Sequence, residues 1–95
     1  VEAKIQSVII KWLKERGAYV VKTKPGPGTP VGCPDILFLY EGAWGALEVK
    51  SSKAAKWQPG QEATLKRLSA WSPFVWKVYP ENWPEVKTEL SNRFF

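Results

Sequence analysis

Histidine is absent from this chain and cysteine occurs once, at Cys33. Without imidazole there can be no histidine general acid or base and no zinc centre with histidine ligands. With a single thiol there is no C-x-x-C zinc finger and no disulfide framework. Cys33 also has no histidine to activate it, so it reads as a small packed side chain rather than a nucleophile. No apolar run approaches the roughly 18 residues that a membrane span requires, and the N-terminal residues lack a signal-peptide pattern. A reducing, cytoplasmic setting without a membrane is therefore expected. Repeats and low-complexity tracts are missing too, and 95 residues suffice for one domain, 1–95, with one core and no second module.

Two segments carry the chemistry that is present. Pro34-Asp35 opens the apolar run Ile36-Leu37-Phe38-Leu39-Tyr40, and Glu48-Val49-Lys50 closes a second run in which Glu48 and Lys50 alternate with Leu47 and Val49. Alternation with period 2 sends Glu48 and Lys50 to one face of a strand. Glu41-Gly42-Ala43-Trp44-Gly45 lies between the runs and suits a hairpin connection, which would place Asp35 at the start of one strand near Glu48 and Lys50 at the end of the other. Two acids at such range repel unless a divalent cation lies between them, and an oxygen-only set suits Mg²⁺ or Mn²⁺. Lys50 would serve as neighbour to an attacking water or as a positive charge for a phosphorane-like transition state. Taken alone, an E-x-K triplet is more often a solvated pair on the exposed face of a strand.

The flanking segments read as helices. Ile5, Val8, Ile9, Trp12 and Leu13 follow the spacing of a buried stripe, and Glu2 stands in line with it, seven residues before Ile9. An acid on an apolar stripe should be buried against a partner, such as a metal; otherwise Glu2 simply favours a helix N-terminus. Pro59 suits the first turn of a second helix with Leu65, Leu68 and Trp71 or Ser72 on one face. Gln61 shares that face, as a site amide or as an ordinary first-turn residue. The coarse order is helix 2–16, strand 18–24, loop 25–34, strand 35–40, strand 45–50, helix 59–71, strand 74–79 and helix 82–91, the last with Asn82 as cap and Pro84 in its first turn. This αβββαβ order followed by a helix predicts an α/β domain, a mixed sheet flanked by helices.

The string from Pro34-Asp35 to Glu48-Val49-Lys50, with twelve residues between the acids and Gly32-Cys33 ahead of them, resembles the PD-(D/E)xK nuclease signature. With Glu2 on an N-terminal helix and Gln61 opening a later one, the chain is similar to the virus-type replication-repair nuclease (VRR-NUC) family from residue 2 to about residue 79. The resemblance implies a PD-(D/E)xK restriction-endonuclease-like core. It implies metal ligation by Glu2, Asp35, Glu48 and the backbone carbonyl of Val49, catalysis by Lys50 with Gln61 in support, and a structure-selective endonuclease acting on branched DNA such as four-way junctions. The Pro25–Pro30 stretch departs from that pattern. Nuclease chemistry on flaps, linear ends or RNA is the nearest alternative, and a non-catalytic nucleic-acid-binding module is the rival of another class.

Fourteen basic against nine acidic residues give a net charge of +5, which favours a polyanionic partner. Lys22 and Lys24 share a face of the predicted strand 18–24, and Lys53 and Lys56 follow Lys50; these four are the expected DNA contacts. Six tryptophans are many for so short a chain. Trp12, Trp71, Trp76 and Trp83 are expected in the core, while Trp44 and Trp57 fall in predicted loops. The small core, the tryptophan surplus and a terminal Phe94-Phe95 pair suggest a homodimer, with helix 82–91 and the two phenylalanines as one candidate surface; the alternative is that the two phenylalanines pack on their own domain and the enzyme acts as a monomeric nickase.

Overall fold

The computed structural model describes residues 2–95, and the elements fall in the expected order: α1 (Glu2–Glu15), β1 (Tyr19–Lys22), β2 (Ile36–Tyr40), β3 (Ala43–Val49), α2 (Gln61–Ser69), β4 (Val75–Val78) and α3 (Trp83–Arg93). The strands form one sheet in the order β1-β2-β3-β4. β1, β2 and β3 run antiparallel and β3 pairs with β4 in parallel, so α2 serves as the crossover that a parallel pair demands. The chain is thus α/β, with a mixed sheet flanked by helices.

The β2–β3 connection is tighter than the five-residue loop expected. Tyr40 pairs with Ala43, which leaves only Glu41 and Gly42 to turn the chain, with φ of 45° and 83°. Two successive positive φ values give the sense of turn that matches strand twist, and glycine at the second position takes it without strain. Trp44 therefore belongs to β3 and not to a loop. The start of α2 also moves. Gln58-Pro59-Gly60-Gln61 forms a turn in which the Gln61 N–H donates to the Gln58 carbonyl at 3.1 Å and Gly60 takes φ 81°. Proline followed by a positive-φ glycine is the type II pattern, so Pro59 precedes the helix rather than opening it.

Strand alternation divides the sheet into two unlike faces. Ile36 and Phe38 of β2, Leu47 and Val49 of β3 and Val78 of β4 are fully buried beneath Ile5, Ile9 and Leu13 of α1 and Trp83, Val86 and Leu90 of α3. At roughly 1.5–3 kcal/mol per fully buried large aliphatic or aromatic side chain, this face supplies most of the driving force for folding. The stripe on α1 is narrower than its spacing suggested: Val8 is half exposed, because the residues four apart already fill the contact. Phe94 and Phe95 fold back onto this same core, with Phe94 edge-on to Phe38 at 5.0 Å and Phe95 edge-on to Trp12 at 5.6 Å. They offer no projecting surface, which removes the dimer contact expected of them. Trp83 is buried and Trp12 and Trp76 are half-buried, but Trp71 is 67% exposed. Helix α2 ends at Ser69, two residues short of Trp71, so the apolar face it was to continue stops there.

Asn82 does not cap α3 with its side chain. Its Oδ1 accepts from the Tyr79 N–H at 2.8 Å and its Nδ2 donates to the Lys77 carbonyl at 2.9 Å, closing the β4–α3 bend, while Pro84 sits in the first turn as expected.

Candidate active site

On the second face of the sheet, Asp35 and Glu48 meet at one end. The β2–β3 register pairs Ile36 with Leu47, so Asp35, one residue before β2, falls opposite Glu48. The Val49 N–H donates to Asp35 Oδ2 at 2.8 Å, which ties the aspartate to the strand that carries the glutamate. The backbone of Asp35 is fixed from the other side, where its carbonyl accepts from the Thr23 N–H at 2.9 Å and the Thr23 hydroxyl donates to the Pro34 carbonyl at 2.6 Å. Thr23, which the sequence reading passed over, is thus the clasp that holds the Pro34-Asp35 corner against the end of β1.

Glu48 is 1% exposed, and among the described residues it holds the one buried side-chain polar atom without a hydrogen-bond partner, Oε1. Its other oxygen, Oε2, accepts from Gln61 Nε2 at 2.8 Å and lies 3.6 Å from Lys50 Nζ. Lys50 is 5% exposed and donates to Gln61 Oε1 at 2.8 Å. Glu48, Lys50 and Gln61 therefore close a three-membered polar network in a dry setting, where an unpaired polar atom is costly. Burial pushes the Glu48 carboxyl up from its ordinary 4.5 to about 8, the nearby Asp35 carboxylate adds to the rise, and Lys50 opposes it. Gln61 is held in register by the Gln58 N–H, which donates to the same Oε1 at 2.7 Å. The type II turn before α2 thereby sets the amide that orients both charged groups.

Glu2 is not drawn in. It is exposed in the first turn of α1, and no group of three histidine, cysteine, aspartate or glutamate side chains among the described residues is arranged to hold a metal ion. The expectation that an acid on the apolar stripe must be buried fails here, because the stripe is buried only from Ile5 onward and Glu2 precedes it by almost a full turn. Cys33 is half-buried beside the pair. Burial raises its thiol pKa, a hydrogen bond with Thr23 opposes this, and the Glu48 and Asp35 carboxylates add to the rise. A thiol held protonated in this way matches the expected packing role.

Five of the fourteen basic residues stand at the same end of the sheet. β1 ends at Lys22 beside the start of β2, while β3 and β4 end there in parallel. Segments 22–34 and 49–61, which emerge from that end, contain no acidic residue, and they hold Lys22, Lys24, Lys50, Lys53 and Lys56. The four expected contact lysines are exposed. A residue the sequence reading missed organises the second segment. Lys77 of β4 donates from Nζ to the Lys53 carbonyl at 2.7 Å and the Ala55 carbonyl at 3.3 Å, and its ammonium lies 5.0 Å from the centre of the Trp57 ring. Trp57 is thereby occupied as a lid over Lys77. The only prior signal was a lysine inside an otherwise apolar strand.

Comparison of the chain with family models, with curated proteins and with solved structures finds no match.

Proposed function

We propose that this protein is a divalent-metal-dependent endonuclease that hydrolyses DNA phosphodiesters, with a PD-(D/E)xK-type site. The observation that carries the reading is the adjacent Asp35–Glu48 pair with a buried amine beside it and one buried carboxylate oxygen left without a partner. A solvated E-x-K face has no reason to bury Glu48 and Lys50 to 1% and 5% exposure, since desolvating charge is costly even when it is paired and hydrogen-bonded.

The donor set fits Mg²⁺ or Mn²⁺. Such ions take oxygen ligands, are commonly held by one or two carboxylates, and complete their shell with water and substrate oxygens. Asp35 and Glu48 would be the holders, joined on the strength of the family resemblance by the Val49 carbonyl; the resemblance also names Glu2, which its exposure does not support. A bound ion of this kind supplies Lewis-acid polarisation of the phosphodiester and a water of lowered pKa. The chain's own groups do the rest. Lys50, clamped by Gln61, presents a fixed ammonium where negative charge develops on phosphorus oxygens, without reorganisation at the moment of reaction. Gln61 holds that ammonium and Glu48 at set positions through one amide. The acid-free, lysine-bearing rims attract the phosphate backbone, which two carboxylates alone would repel.

Branched DNA, including four-way junctions, is the substrate class we favour, on the family resemblance. A working homodimer would supply the two sites needed for paired cuts. With Phe94 and Phe95 packed inward, its contact would use the apolar patch Tyr19, Val21 and Leu39, all partly exposed on the part of the second face nearest β1. The test is a cleavage panel of four-way junction, flap, nicked, linear and supercoiled DNA and of RNA, with Mg²⁺ or Mn²⁺ and with chelator, alongside light scattering at micromolar protein. Metal-dependent cutting of DNA that is lost in Asp35→Ala supports the reading. Binding without cutting under every condition would replace it with the non-catalytic module.

A further inference from the structure

A cleft of about 640 Å³ opens beside the acid pair, between the proline-rich loop 23–33 and the turn 58–61, with Asp35 and Gln61 at its inner side. Its walls are mostly apolar. Pro25, Pro30, Val31 and Pro59 line it, and Val31 is 81% exposed. An apolar side chain so exposed beside a site meant for a polyanion is left largely uncovered by the described residues. The wall is also preformed. The loop is clasped at its ends by Thr23 and folded by two turns, where the Thr29 N–H donates to the Gly26 carbonyl at 3.1 Å and the Cys33 N–H to the Pro30 carbonyl at 3.2 Å. It is docked on the start of α2 so closely that a side chain at Gly32 would lie 2.5 Å from the Gly60 carbonyl.

We propose that this cleft is a pocket for one unpaired nucleotide of a DNA strand, taken up next to the phosphodiester that faces Asp35 and Glu48. The inference rests on the nuclease reading and deepens it by saying what the enzyme selects. The volume lies within the roughly 300–1,000 Å³ of sites for small ligands and leaves room for a base and its sugar. Apolar walls suit the faces of a base or deoxyribose, which carry no charge, while the exposed Lys24, Lys53 and Lys56 stand on the segments that border the cleft and complement the phosphates on either side; Lys22, paired with Ile36, lies on the other face of the sheet. A base stacked within a duplex cannot enter. A base already unstacked at a branch or gap enters at little cost, because the unpairing energy, a few kcal/mol, has been met by the substrate's own structure. Selectivity for branched over continuous duplex DNA then arises at Val31 and its neighbours rather than from any reading of sequence.

The test uses the whole chain and two oligonucleotide duplexes of equal length, one with a 2-aminopurine in an unpaired position and one with it paired, titrated in chelator so that nothing is cut. Preference for the unpaired site by about tenfold or more, with a change in its emission on binding, is expected, since a tenfold ratio needs only about 1.4 kcal/mol of added contact. Val31→Ser, at an exposed position where folding is not at stake, should shrink the preference to threefold or less; Lys53→Ala should weaken both duplexes alike and leave their ratio. Equal affinity for the two duplexes, or a ratio untouched by Val31→Ser, overturns the pocket. Cleavage of the same DNA with Mg²⁺ separates the two readings: a binding preference without cutting by the wild type sinks the nuclease and keeps the pocket, whereas cutting without preference does the reverse.

Discussion

The two faces of the sheet are built from alternate residues of the same strands, yet they have opposite physical characters. Leu47 and Val49 of β3 point into a closed apolar layer under α1 and α3, where every neighbour is a hydrocarbon or an aromatic edge. Glu48, between them, and Lys50, just beyond, enter an equally dry environment on the other side but carry charge into it. The first face gains free energy by burial and the second loses it. The apolar layer thus stabilises the strand ends on which the unfavourable acid and amine are held in place.

Asp35→Ala and Glu48→Gln should each lower cleavage by a factor of about 10² or more while the fold persists, with DNA binding unchanged or tighter because a negative charge is gone. An Asp35→Ala protein cutting at close to the original rate would end the assignment. Leu47→Ala, one residue away on the other face, should do the opposite: a loss of about 2–5 kcal/mol in unfolding free energy by denaturant titration, with activity per folded molecule retained.

The pH dependence of stability sharpens the contrast. Because the Glu48 pKa is raised from 4.5 to about 8, the folded chain keeps a proton between those values that the unfolded chain releases. Its contribution to stability is thus fully present below about pH 4.5 and is lost as pH rises through about 8. The melting temperature of the wild type should fall across this window more than that of Glu48→Gln, and Mg²⁺ or Mn²⁺ at pH 8 should restore it in the wild type alone. Identical profiles for the two proteins would show that Glu48 is not a strained acid.

Lys50→Ala and Lys53→Ala divide chemistry from attraction. The first should cost orders of magnitude in cleavage rate at any ionic strength, the second only a few-fold in affinity, recoverable at low salt. The same modest, salt-reversible loss in both would deny Lys50 its special place. The smallest effect expected is that of Lys77→Met. It keeps the aliphatic stem but releases the 53–55 carbonyls, so trypsin should cut after Lys53 and Lys56 several times faster while the melting temperature moves little, by about 1 kcal/mol or less in stability terms. Unchanged proteolysis would mean that the loop is held by other contacts.

Much of this layout was legible in the order of residues, because it depends on local rules. Period-2 alternation placed Glu48 and Lys50 together, the short connection through Gly42 made β2 and β3 a hairpin, and the register that follows puts Asp35 opposite Glu48. Absence of histidine and the single cysteine bounded the chemistry without reference to shape. Where reading failed, the deciding contact came from far along the chain. Phe94 and Phe95, a candidate dimer surface by sequence, fold back on Phe38, Tyr40 and Trp12, and Glu2, in line with the apolar stripe, stays exposed because burial begins only at Ile5. Lys77 was an ordinary strand lysine until the 53–55 carbonyls arrived above it. Sequence by itself determined which residues alternate, turn and carry charge. Tertiary structure alone decided which of them are dry, since burial depends on what the rest of the chain brings to the other side, and burial is what turns a glutamate, a lysine and a glutamine into a coupled site.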